Sequence, residues 1–163
     1  MSPTSPPPFD RFLEAEREVV WRYLLATVGR ADADDCFQET FVAALRAYPR
    51  LRAGSDLRAW VLTIAHRKAI DALRARTRGA QTVADVAELA PNPSGARGAS
   101  PERDGELWEA VGALPARQRS AIVLRYVGDL AHREIASAIG CSEDAARRSL
   151  HEGLNKLRKA VAA

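Results

Sequence analysis

Residues 114–158, LPARQRSAIVLRYVGDLAHREIASAIGCSEDAARRSLHEGLNKLR, decide how the chain is read. Leu130, Ile135, Ala136 and Ile139 recur at helical spacing, Gly140 supplies a turn, and Ser142 is a good N-cap for a following helix. Glu143 and Asp144 fall in the first turn of that second helix, where the helix dipole favours negative charge. Leu150, Leu154 and Leu157 form its buried stripe, which leaves Arg147, Arg148 and His151 facing outward. Two short helices about a glycine turn make a helix-turn-helix, whose second helix enters the major groove, where Arg bonds a guanine edge or a phosphate. The same periodicity also suits an ordinary three-helix core, so spacing alone leaves both readings open. DNA is the first partner to consider.

Working outward, the 23 residues from Gly79 to Pro101 lose helical periodicity, and Pro91, Pro93, Gly95, Gly98 and Pro101 break any long helix. A short helical turn is expected at Asp85 to Leu89, within an otherwise flexible linker that lets two halves reorient. No alternating strand pattern occurs on either side. The expected architecture is all-α: two small helical domains, 9–78 and 102–163, joined by the flexible linker 79–101 and preceded by a disordered Pro-rich tail, 1–8. The chain's 163 residues, 47% of them hydrophobic, suffice for two compact cores.

Charge is segmented rather than extreme. Lys and Arg exceed Asp and Glu by 24 to 21, but residues 56–78 hold six basic and two acidic side chains while residues 31–45 hold four acidic and none basic. Cys36 and Cys141 have neither metal-ligand spacing nor the density of a secreted disulfide scaffold, so they read as small buried or half-buried residues in a reduced cytoplasm. No apolar run approaches membrane-spanning length, and MSPTSPPPFDRF lacks the regions of a signal peptide, so membrane insertion is not expected. His132 and His151 lack partners at metal spacing. No metal and no cofactor are expected, and no phosphate loop or nucleophile elbow points to an enzyme.

Two further constellations lie in the first half. Phe37, Phe41, Leu45 and Tyr48 recur at spacings of four, four and three and define an apolar face, with Asp35, Gln38 and Glu39 opposite. A carboxylate and an amide on one ridge can receive Arg and offer a directed hydrogen bond, although such a ridge is also what a solvated helix face looks like. Further on, Gly54 and Ser55 make a loop, Asp56 caps the next helix, and Trp60, Ile64 and Leu73 anchor it. Arg58, His66, Arg67, Lys68, Arg74, Arg76 and Arg78 give that helix a basic surface, on which His66 is expected to be exposed. Trp21, Trp60 and Trp108 read as core.

LPARQRSAIVLRY, HREIASAIG and SLHEGLNKLRK resemble, in order, region 4 of the sigma-70 family, of the extracytoplasmic-function (ECF) type. ADADDCFQETFVAAL resembles region 2.2, and LRAGSDLRAWVLTIAHRKAIDALRARTR resembles regions 2.3 and 2.4. Together they cover nearly all of residues 9–160. The resemblance implies a sigma factor that binds core RNA polymerase, at the β′ clamp helices and the β flap, and promoter DNA, with an anti-sigma factor as a further partner. It implies core-polymerase contacts at Asp34, Asp35, Gln38 and Glu39, Phe41 being a packing residue. It implies minus 10 contacts at Leu51, Arg52, Ser55 and Arg58 in the loop, which holds a flipped base, and at Thr63, His66 and Arg67 on the groove-facing helix. Minus 35 contacts fall at Ser142, Arg147, Arg148 and His151. The chain departs from the pattern at Ala131, where a capping Ser is usual, and at Ser149 and Glu152, which often carry Arg. A stand-alone helix-turn-helix regulator would explain residues 114–158 equally well, but not the acidic ridge beside the basic helix.

Overall fold

The computed structural model describes residues 4–82 and 101–162. The expected turn at Asp85 to Leu89 and most of the linker lie outside them. The helix boundaries of the first half follow local causes up to the start of the third helix. Pro8, extended, precedes α1 (Phe9–Val28) and accepts the Arg11 and Phe12 amides on its carbonyl. Gly29, at φ 78 and ψ 172, makes the break into α2 (Arg30–Ala47), a conformation that a Cβ opposes. A 3-10 turn at Tyr48–Arg50 ends that pair. Asp56 Oδ1 then accepts the Ala59 amide at 3.0 Å, the expected cap, and opens α3 (Leu57–Thr82).

α3 runs past Gly79 to Thr82, beyond the expected start of the linker, because a lone glycine weakens a helix without ending it. At the other terminus Tyr48 Oη donates to the Pro7 carbonyl, which ties the end of the expected tail to the domain. In the second half α4 (Pro101–Gly112), α5 (Ala116–Tyr126), α6 (His132–Ile139) and α7 (Glu143–Ala162) follow. Gly140 ends α6 in the left-handed region at φ 72, and the Cys141 amide bonds back to the Ala136 carbonyl at 3.0 Å, which satisfies an orphan group of the last turn. Ser142 Oγ accepts the Ala145 amide at 3.1 Å and starts α7. The described residues contain no strand.

In the first half α1, α2 and α3 pack pairwise around Phe12, Val20, Tyr23, Leu24, Cys36, Ala44, Val61, Leu62 and Ala65. An aromatic cluster of Phe9, Phe12, Phe41, Tyr48 and Trp60 closes one end, with ring centroids 5.2–6.3 Å apart, so Trp60 is a half-buried packing residue. In the second half α7 lies across α4, α5 and α6 over Val123, Leu124, Ile135, Ala146, Leu150 and Leu157. Fully burying one such Leu contributes roughly 2–3 kcal/mol. The halves also pack on each other: α3 meets α6, and α1 meets α4 and α5, so the buried apolar residues form a single cluster.

Candidate nucleic-acid interface

Three charged ridges reach solvent. On α2, Asp34, Asp35, Gln38 and Glu39 are all exposed, while Phe41 is packed at 7% exposure. Leu45 departs from the expected apolar face, for it is 54% exposed. At 3.6 residues per turn each step of four overshoots by about 40°, so Leu45 has swung about 80° from Phe37, whereas Tyr48 returns to within about 20°. Leu45 instead joins Val42, 47% exposed, and extends the acidic ridge with an apolar end. Sequence reasoning missed this pair, although a helical projection of α2 reveals it. Below the ridge, burial and the surrounding carboxylates of Asp32 and Glu39 push the Cys36 thiol up to about 11.

The second ridge begins at the loop 51–56. Gly54 takes φ 80, the Ser55 hydroxyl donates to the Arg52 carbonyl at 2.7 Å, and the Ser55 amide bonds the same carbonyl at 3.2 Å. Leu51 is half-buried and Arg52 exposed, so the loop is a tight turn that presents Arg52 outward. Arg58 pairs with Glu16 of α1 at 2.9 Å. That contact joins residues 42 apart in sequence and left no signal there. On α3, Thr63 donates its hydroxyl to the Ala59 carbonyl at 2.8 Å, and Arg67, Arg74 and Arg78 share one exposed stripe with Asp71. Arg76 lies off that stripe, paired with Asp32 at 2.8 Å.

His66 does not share the exposed face. It is 9% exposed, and its Nδ1 lies 2.9 Å from the Tyr23 hydroxyl. Burial, aided by the Arg67 charge, pushes its pKa down to about 4, so the ring is neutral. The basic neighbours Arg67 and Lys68 suggested exposure, but at 100° per residue a neighbour in sequence points to another side.

The third ridge is α7. Ser142, Arg147, Arg148 and His151 are all exposed, as the stripe of Leu150 and Leu157 requires. Glu143 accepts from Arg147 at 2.7 Å, which holds the Glu143 carboxyl below its usual range and orients the guanidinium. Arg148 has no ion-pair partner among the described residues, and Asn155 Nδ2 stands 3.1 Å from His151 Nε2. Ser149 is buried, so it belongs to the packing side rather than to the charge of the reading face; Glu152, exposed, accepts from Gln118 at 3.1 Å. Ala131 leaves half of a capping box: Glu134 Oε2 accepts the Ala131 amide at 2.8 Å, while the Ala131 side chain has no oxygen to accept the Glu134 amide.

No described helix is long and apolar enough to cross a membrane. The family described as Sigma-70 region 2 matches residues 12–79, and that described as Sigma-70, region 4 matches residues 104–157. The ECF RNA polymerase sigma factor SigD of Mycobacterium tuberculosis is 34% identical over 163 residues, covering 93% of this chain and 76% of that protein. RNA polymerase sigma factor CarQ of Myxococcus xanthus is also 34% identical, over 132 residues that cover 78% of this chain and 73% of the relative. The fold is that of the sigma factor RpoE of Bartonella quintana, solved in complex with the anti-sigma factor NepR, at a TM-score of 0.79 with 21% identity, covering 95% of this chain and 97% of that one. CnrH, solved in complex with the cytosolic domain of CnrY, matches at 0.68 with 21% identity, covering 94% of this chain and 87% of that one. Two matched regions in the family's order, and relatives this similar across most of both chains, establish that the chain belongs to the ECF-type RNA polymerase sigma factors of the sigma-70 family, which serve transcription initiation.

Proposed function

We propose that the chain binds core RNA polymerase through the α2 ridge, reads the minus 35 element with α7, and reads and opens the minus 10 element with the loop 51–56 and α3. The observation that carries this reading is the separation of charge over three exposed faces, acidic on α2 and basic on α3 and α7. Asp34, Asp35, Gln38 and Glu39 suit the basic β′ clamp helices, with Val42 and Leu45 adding apolar contact, and residues 102–163 suit the β flap. Capturing an unstacked base offsets part of the few kcal/mol that duplex opening costs, so melting here needs binding energy and no ATP. The chain acts as a specificity subunit, and catalysis belongs to the polymerase. Residues 9–78 and 102–163 are the working domains, and 79–101 threads towards the active-centre channel. An anti-sigma factor is a further partner of this chain, by analogy with the complexes of its structural relatives. The experiment is transcription in vitro with matched core enzyme and a genomic promoter library. Initiation at sites sharing paired upstream elements supports the reading. Tight binding of the protein alone to a palindrome, with no response from core enzyme, supports a stand-alone regulator instead.

A further inference from the structure

α7 carries a carboxylate on the side that meets solvent. With the buried Leu150 as the inward direction, at 100° per residue Arg148 and Glu152 lie about 20° to either side of the outward one, and Asn155 about 40° from it. Arg148 and Glu152 are both exposed. Among the described residues no Lys or Arg pairs with Glu152. What holds it is Gln118 of α5, whose Nε2 donates to Glu152 Oε2 at 3.1 Å.

That bond is hard to give up. Gln118 is 9% exposed, and its Oε1 is buried with no hydrogen-bond partner. Releasing Glu152 would leave both ends of the amide unpaired and away from water. The reach is short because Gly153 lets α7 lie close against α5: a Cβ there would stand 3.1 Å from Ile122 Cγ1 and 3.4 Å from Gln118 Cβ. The Glu152 carboxylate is thus fixed by one oxygen, and the other accepts no hydrogen bond among the described residues.

We propose that Glu152 is a specificity-determining residue for the upstream promoter element, reading a cytosine through its N4 amino group, with Gln118 as its positioning residue. The inference rests on the assignment of α7 to the minus 35 element. A carboxylate repels phosphate and only accepts hydrogen bonds, so on a helix in the major groove its favourable partner is an amino group. Cytosine offers N4 with no acceptor beside it. Adenine sets N6 beside the N7 acceptor, which suits the amide of Asn or Gln and opposes a carboxylate. Glu152 stands one turn beyond Arg148, about 6 Å along the axis. At about 3.4 Å per base pair, the cytosine lies roughly two pairs from the contact of Arg148.

The test is selection, by the full-length protein on matched core enzyme, from a promoter library randomised over the upstream element. Wild type is expected to enrich cytosine at one position. Glu152→Gln is expected to lose that preference by on the order of tenfold and to move it towards adenine, while every other position keeps its ranking. Arg148→Ala in the same library locates the neighbouring contact. Gln118→Met is expected to weaken the cytosine preference severalfold with circular dichroism unchanged; Gln118→Asn, whose amide falls a methylene short, decides the matter if Gln118→Met loses helicity. Base preferences unchanged in Glu152→Gln overturn the base contact, and a uniform rise in affinity over all sequences alongside them would make the carboxylate only a phosphate-repelling charge. A cytosine preference left intact by the folded Gln118 variants overturns the positioning role. Wild type with no upstream preference at all refutes the minus 35 reading and this inference with it, whereas a preference that persists but ignores Glu152 refutes this inference alone.

Discussion

At the scale of single residues, neighbouring groups of one type take opposite parts. Arg147 and Arg148 are both exposed, yet the first is oriented by Glu143 and the second is not. An exposed pair of this kind contributes little to stability, so Arg147→Ala and Arg148→Ala should each leave thermal unfolding nearly unchanged. Either should weaken use of promoters with an upstream element by about 1–3 kcal/mol if it reads a base, or reduce the salt slope if it holds a phosphate. Salt titration of polymerase-dependent binding distinguishes the two. His66 carries the pH dependence. Its folded pKa, near 4, lies below the ordinary 6.5, so between those values the unfolded chain binds more protons and stability falls as pH falls through the window. The loss for this one group approaches ~3 kcal/mol by pH 4. Denaturant unfolding from pH 7 to 4 should therefore be flatter for His66→Gln than for wild type, and parallel curves would remove His66 from the account. Neither Arg119 nor His66 could be placed from sequence. Their residue types read as surface, and the partners that bury them, Thr27 and Tyr23, stand 92 and 43 positions away.

At the scale of elements, the chain was far more legible, because periodicity and capping act over a few residues. The stripe of Leu150, Leu154 and Leu157, of which Leu154 is half-buried, the cap at Ser142, the turn at Gly140 and the cap at Asp56 stand where the spacing put them. Where the reading slipped, at Leu45 and at the end of α3, the cause was phase drift along a helix or a glycine that a long helix absorbs. Gly140 gives a clean test. A Cβ there meets nothing within 4 Å, so Gly140→Ala costs only the left-handed backbone, about 1 kcal/mol. Ala131→Ser adds the missing half of the box begun by Glu134 and should stabilise by roughly 0.5–1 kcal/mol. Thermal scans of the two variants should shift in opposite directions. A shared direction would mean that neither cap limits the stability of the second half.

At the scale of the whole molecule, the decisive fact is that both halves share one core, which the sequence, with its Pro- and Gly-rich segment between them, pointed away from. A linker sets how far two domains can separate; it does not say whether they do. The buried faces that do say so pair Leu62 with Gly128, residues that any helical core uses, and Arg119 of α5 with the Thr27 carbonyl of α1, a residue type that reads as surface. The consequence for DNA binding is quantitative. The net charge is only +3, and the exposed carboxylates of the α2 ridge repel phosphate. On the proposed reading, two elements without a fixed spacing forgo the gain in effective concentration that tethered sites provide; docking on core enzyme would fix the spacing and restore that gain, which for linked sites reaches on the order of 10²–10⁴. A gel-shift titration of a cognate promoter at physiological salt should therefore show weak, nearly sequence-independent binding by the protein alone and specific binding with core enzyme. Asp35→Arg combined with Gln38→Ala should abolish the second and leave the helicity intact, since exposed substitutions shift stability by only about 0.5 kcal/mol, while the two added units of positive charge strengthen the first. Specific binding that survives those two changes would detach the α2 ridge from polymerase.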